Sequence, residues 1–162
     1  MGDVLTRVTI WLALGLYAAA QIVRRRMPTT TSGVSPWLLT CGWGLFVGHV
    51  VLSFGVHYDW SHATAYAETA AQTEALTGWR TGGGLYLNIL FGVVWGLEAC
   101  WWRLAPEHYA TRSPRVELAM RAVFLFMIVN GAVVFVAGPR RWLGLAIVGV
   151  LLVAWRPSAD SR

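Results

Sequence analysis

Four long apolar runs constrain this chain more than any other feature of its sequence. They lie at about 4–23, 36–56, 82–102 and 118–137, and about 20 apolar residues in a helix cross roughly 30 Å of hydrocarbon. Because the runs are apolar on all sides and not along one stripe, they are typical of helices in a bilayer. A fifth run at about 142–155 is shorter, and we expect a short span there, with an interfacial or re-entrant helix as the alternative.

The composition agrees with a membrane protein, because 56% of the 162 residues are hydrophobic and only 13% are charged. A soluble protein of this size needs more charge to cover its surface. An alanine-rich stretch at about 61–77 predicts one helix outside the membrane. The predicted fold class is therefore all-α, a polytopic integral membrane helix bundle of four to five transmembrane helices plus one extramembrane helix, with residues 1–162 forming a single transmembrane domain.

The arginines indicate how the chain is oriented. All thirteen basic residues are arginine, and most stand at the ends of apolar runs, where they act as topology signals and do not indicate a nucleic-acid partner. If Arg24–Arg26 face the cytoplasm, eight arginines including Arg162 lie inside and four lie outside. We therefore expect the N-terminus outside and the C-terminus inside, in a bacterial inner (plasma) membrane. The 61–77 helix is then extracytoplasmic.

Small residues recur on two of the predicted spans. The second span contains Gly44 and Gly48, and the third carries a four-residue repeat of Gly84, Asn88, Gly92, Gly96 and Cys100. Faces of this kind let helix backbones approach closely. We expect the second and third spans to pack together along these stripes, with a homodimer as the alternative.

Five of the polar residues within the predicted spans are candidates for function, because an unpaired polar group in the membrane is costly. His49, Asn88 and Asn130 fall about 9–12 Å below the outer ends of their helices. They predict either the floor of an outward-facing cavity or a hydrogen-bond network between helices. Glu98 and Arg121 match in depth near the inner side, which favours an ion pair over a proton relay.

A polar stretch that follows the second span offers candidate metal ligands. Residues 55–70 read GVHYDWSHATAYAETA and contain His57, Asp59 and His62, with His49 beneath them. Imidazole and carboxylate groups suit zinc, copper or iron. The two histidines are five residues apart, so both reach one ion only if the chain bends between them. The alternative is that Asp59 simply caps the next helix.

Two function classes follow from these patterns. The first is an accessory protein or subunit of a larger membrane assembly, whose partners are the lipid bilayer and either other membrane subunits or further copies of this chain. The second is a metalloprotein or metal-dependent enzyme that acts at the extracytoplasmic face through the histidine and aspartate residues. A transporter ranks third, because five short spans leave little room for a pathway.

Overall fold

The structure, a computed structural model, describes residues 1–26 and 33–156, so the predicted Arg162 signal lies outside the described residues. The described residues form helices and no strand, which confirms the predicted all-α class. The helices, in chain order, are α1 (Gly2–Arg26), α2 (Val34–His57), α3 (His62–Thr77), α4 (Gly83–Leu104), α5 (Pro106–Ala110), α6 (Pro114–Val129) and α7 (Arg140–Ala154). A single π-helical turn, Asn130–Val134, continues α6.

Four of these segments are long and apolar enough to cross a membrane: α1, α2, α4, and α6 with its π-helical turn. Their outward surfaces are apolar, since Leu12, Leu90, Val93 and Leu118 are all at least half exposed. Such a surface is stable against lipid and not against water. The protein is therefore a membrane protein. The 15-residue α7 reaches only about 22 Å.

Local sequence signals set the helix ends. The side chain of Ser113 accepts a hydrogen bond from the Val116 N–H at 3.4 Å, and Pro114 occupies the first helical position. Both choices are favoured at helix N-termini. As a result, α6 begins four residues before the predicted start at 118. Between the π-helical turn and α7 the chain turns at Gly138, whose φ of 74° lies in the left-handed region that favours glycine.

Five helices form a ring around an aromatic core. α1 contacts α2 and α7, α4 contacts α2 and α6, and α6 contacts α7. In the middle, Trp95 of α4 is fully buried and donates from its indole to the Leu39 carbonyl of α2 at 3.2 Å. Tyr17 of α1 stacks on Phe124 of α6 with 4.2 Å between ring centroids. These aromatic contacts join four spans at one level.

The two glycine stripes behave differently. On α4, Gly92 faces the ring of Phe46 and Gly96 faces the indole of Trp43, so this stripe accepts side chains from α2 as expected. On α2, no atom lies near the position that a Cβ would take at Gly44 or Gly48. The prediction that both stripes pack on each other is therefore wrong for α2, whose close contact with α1 instead occurs at another glycine, Gly42.

Candidate functional site

The histidines expected to form a metal site have separate partners. His49 donates from Nδ1 to the Thr6 carbonyl on α1 at 2.8 Å, and Nδ1 of His57 lies 3.7 Å from the Asp3 carboxylate. His62 begins α3, and its ring lies 5.8 Å from that of Tyr86 on α4. Within residues 1–26 and 33–156, no group of three or more His, Cys, Asp or Glu side chains is placed to hold a metal ion.

The turn between α2 and α3 explains this separation. Asp59 and Trp60 both have positive φ values, 47° and 59°, and the Trp60 N–H bonds back to the Phe54 carbonyl at 3.0 Å. The cap of α3 is the side chain of Ser61, which accepts from the Thr64 N–H at 3.2 Å, and not that of Asp59. His57 thus stays on the α1 side while His62 is carried to the α4 side. The metal site stays a prediction to which this geometry gives no support.

The three polar residues expected in one layer do not form one network. His49 donates its hydrogen bond to the Thr6 carbonyl of α1, as described above. Asn130 donates to the Phe126 carbonyl of its own helix at 2.8 Å, at the start of the π-helical turn. The Asn88 side chain is exposed and has no hydrogen-bond partner in the described part of the chain. In the described residues these three side chains therefore form neither a shared cavity floor nor one network, and only His49 makes a hydrogen bond between helices.

Asn88 instead lines an open groove between α2 and α4. The groove has a volume of about 400 Å³, and its walls include Val47 and Val50 of α2 and Gly92 of α4. Every other lining side chain is apolar, and the one ring N–H among them, on Trp43, already donates to the Gly92 carbonyl at 2.9 Å. An amide therefore stands alone in an apolar groove that opens on the outer surface of the bundle.

A second polar site lies at the end of the bundle that contains the last turn of α1 and the first turn of α6, which we call the basic end. Glu117 of α6 contacts Arg24 of α1 at 2.6 Å and Arg121 at 2.5 Å, and it also pairs with Arg112. One carboxylate therefore joins three guanidinium groups from α1, α6 and the α5–α6 connection. The sequence signal for part of this cluster was the spacing of Glu117 and Arg121, which places both on one face of α6.

The predicted pair of Glu98 and Arg121 is wrong. Glu98 is 4% exposed and accepts a hydrogen bond from the Tyr109 hydroxyl at 2.6 Å. Arg121 contacts Glu117 and donates to the Trp155 carbonyl at 3.0 Å. The prediction failed because the short helix α5 inserts Tyr109 beside Glu98, and because the span was expected to begin after Glu117.

Burial shifts the titration of the groups on the α5 side of this cluster. The Arg112 side chain is 6% exposed, and its guanidinium lies over the Tyr109 ring, 3.8 Å from the centroid. Burial lowers the pKa of Arg112, since it disfavours the charged form. Burial, with the nearby Glu98 carboxyl, raises the pKa of Tyr109 above its ordinary value. Both shifts have burial as their main cause.

Sequence reasoning identified Asn88 as an intramembrane polar residue but missed its groove, because a groove depends on how two helices diverge.

Comparison with protein-family models, with curated proteins and with solved structures finds no match for this chain.

Proposed function

We propose that this protein is a subunit or accessory protein of a larger membrane assembly, and that it docks a transmembrane helix of another subunit in the groove between α2 and α4. The observation that carries the proposal is Asn88, an exposed amide on a membrane-spanning helix. In hydrocarbon, an amide without a hydrogen-bond partner is costly. A partner helix with a polar side chain at the same depth removes that cost.

The groove suits a helix in its shape as well. Gly92 has no side chain to fill the groove on its α4 side. On the neighbouring face of α2, no atom lies within 4 Å of the Cβ positions of Gly44 and Gly48. Association of helices in lipid depends on close van der Waals packing over small residues, together with hydrogen bonds between helices. The groove offers both kinds of contact. The described residues lack the clustered ligands that the metalloprotein alternative needs, so no observation favours that alternative; metal analysis of the purified protein tests it.

We further propose that the basic end faces the cytoplasm of a bacterial cell and that α3 lies outside it. Among the described residues, the basic end holds eight arginines and three glutamates, whereas the opposite end holds four arginines and four carboxylates. Such an arginine bias favours the cytoplasmic side. Labelling of a cysteine placed at residue 70 tests the orientation, which is wrong if the label reacts only from the cytoplasmic side.

The docking proposal is tested by replacing Asn88 and extracting the protein from its native membrane in mild detergent. We expect Asn88→Leu to weaken the association by about fivefold, since one hydrogen bond between helices contributes about 1 kcal/mol. On a native gel, a larger share of the variant than of the wild-type protein should then migrate as the separated chain. Asn88→Gln, which keeps an amide, and Leu87→Ala, which alters α4 outside the groove, should both retain the assembly.

Three results contradict the proposal. In the first, the wild-type chain migrates alone under every extraction condition. In the second, Asn88→Leu and Leu87→Ala behave alike. In the third, the assembly contains only further copies of this chain, which would make the groove a homo-oligomer interface.

A further inference from the structure

Three helices meet at the basic end on the side of the ring opposite the groove. We call this place the α7 corner; it comprises Arg25 of α1, Arg121 of α6, and Trp155 and Arg156 after the end of α7. Arg25 donates to the Val153 carbonyl and Arg121 donates to the Trp155 carbonyl at 3.0 Å. From this geometry we infer that the α7 corner binds the phosphate headgroups of anionic phospholipids.

The arginines of the corner have capacity left for an anion. Arg25 and Arg156 are exposed, and neither forms an ion pair with a carboxylate in the described ranges. Each guanidinium has five N–H donors, and the carbonyl of Val153 takes only one of those on Arg25. Within the corner only Arg121 pairs with a carboxylate, that of Glu117, which is also shared with Arg24 and Arg112 outside the corner. The corner is therefore electropositive.

The length of α7 brings headgroups to this place. Its 15 residues extend about 22 Å, against about 30 Å for the hydrocarbon layer. Lipid beside a short helix thins so that the headgroups approach its ends. Trp142, which is 72% exposed, and Trp155 stand at the two ends of α7, and tryptophan is enriched at the lipid–water boundary. Phosphate groups next to α7 are thus drawn down towards Arg121, two turns inside α6.

The inference is independent of the docking proposal, because α7 contacts α1 and α6 while the groove lies between α2 and α4. A partner helix in the groove leaves the α7 corner open. Free phosphate offers the same kind of anionic oxygens as a headgroup, but it lacks the acyl chains that the exposed apolar side chains of α7, such as Leu152, contact. Lipid is therefore the source to which the inference commits.

The experiment measures binding of individual lipids to the full-length protein by native mass spectrometry. The probes are phosphatidylglycerol, phosphatidylcholine with the same acyl chains, and soluble glycerol 3-phosphate. We expect phosphatidylglycerol to bind in preference to the other two. The variants Arg25→Gln and Arg156→Gln should each weaken its binding by about fivefold, since each arginine near anionic headgroups contributes to the attraction. Neither residue forms an ion pair in the described part of the chain, so both variants should fold.

The matched control is at the other end of the same helix, where Arg140→Gln and Arg141→Gln remove the same charge. These variants should reduce the phosphatidylglycerol affinity less than Arg25→Gln and Arg156→Gln do, because the α7 corner also places Arg121 beside its exposed arginines. An equal loss from both ends, equal binding of phosphatidylcholine, or binding of glycerol 3-phosphate as tight as that of the lipid would each overturn the inference.

Discussion

Glu117 is the residue on which the polar structure of the basic end depends most. Its carboxylate contacts Arg24, Arg112 and Arg121, so its removal leaves three guanidinium groups facing one another. Glu117 is 20% exposed and so only partly buried, but removing one partner of such a cluster still leaves charge uncompensated. Glu98, by contrast, makes one hydrogen bond, with Tyr109, which an amide can also accept.

We therefore expect Glu117→Gln to lower the free energy of unfolding by about 2 kcal/mol, less than for a fully buried pair because its side chain is 20% exposed. Glu98→Gln should change it by less than about 1 kcal/mol, because its hydrogen bond from Tyr109 is kept. The exposed Glu107→Gln is the control, expected within about 0.5 kcal/mol of wild type. Reversible unfolding in detergent measures all three. If Glu98→Gln is as harmful as Glu117→Gln, the assignment of the cluster to Glu117 is wrong.

At the scale of helices, the packing of α7 depends on one glycine. A Cβ placed at Gly144 would meet the backbone carbonyl of Ala132 in the π-helical turn, and backbone atoms cannot move aside as a side chain does. Gly149, on the same helix, has no atom within 4 Å of its Cβ position. The two glycines thus form a matched pair in which only the first is needed for close packing.

We expect Gly144→Ala to destabilise the protein by about 1–3 kcal/mol through overpacking. Gly149→Ala should be neutral or stabilising by up to about 1 kcal/mol, because alanine favours the helix. Thermal unfolding in detergent compares the two. Equal stability of the variants would show that α7 does not pack against the π-helical turn as described.

The helices could be predicted from the sequence because each apolar run is longer than a span requires. The remaining errors have physical causes. The start of α6 was missed because Ser113 and Pro114 were not weighed against the apolar pattern, although both are helix-start signals. The partners of Glu98, Arg121 and His49 could not be predicted, since depth along a helix says nothing about the direction in which its side chain points. Glu117 was overlooked because it lay outside the predicted span.

At the scale of the whole molecule, the bundle has two different sides. The groove and Asn88 lie between α2 and α4, whereas α7 and its arginines lie across the ring beside α1 and α6. The described residues place the net positive charge at one end, with eight arginines against three glutamates. These features support a protein that presents one side to a partner helix and the other to lipid.

Photo-crosslinking in intact membranes tests the docking of a partner helix most directly. A photoreactive amino acid at Val93 lies on the groove wall and is half exposed, so it fits without disturbing the core. We predict one discrete adduct between this chain and a different protein, weaker when Asn88→Leu is added and not formed from the same amino acid at Leu87, which is exposed outside the groove. Adducts that form equally from both positions, or that join only two copies of this chain, would contradict the account.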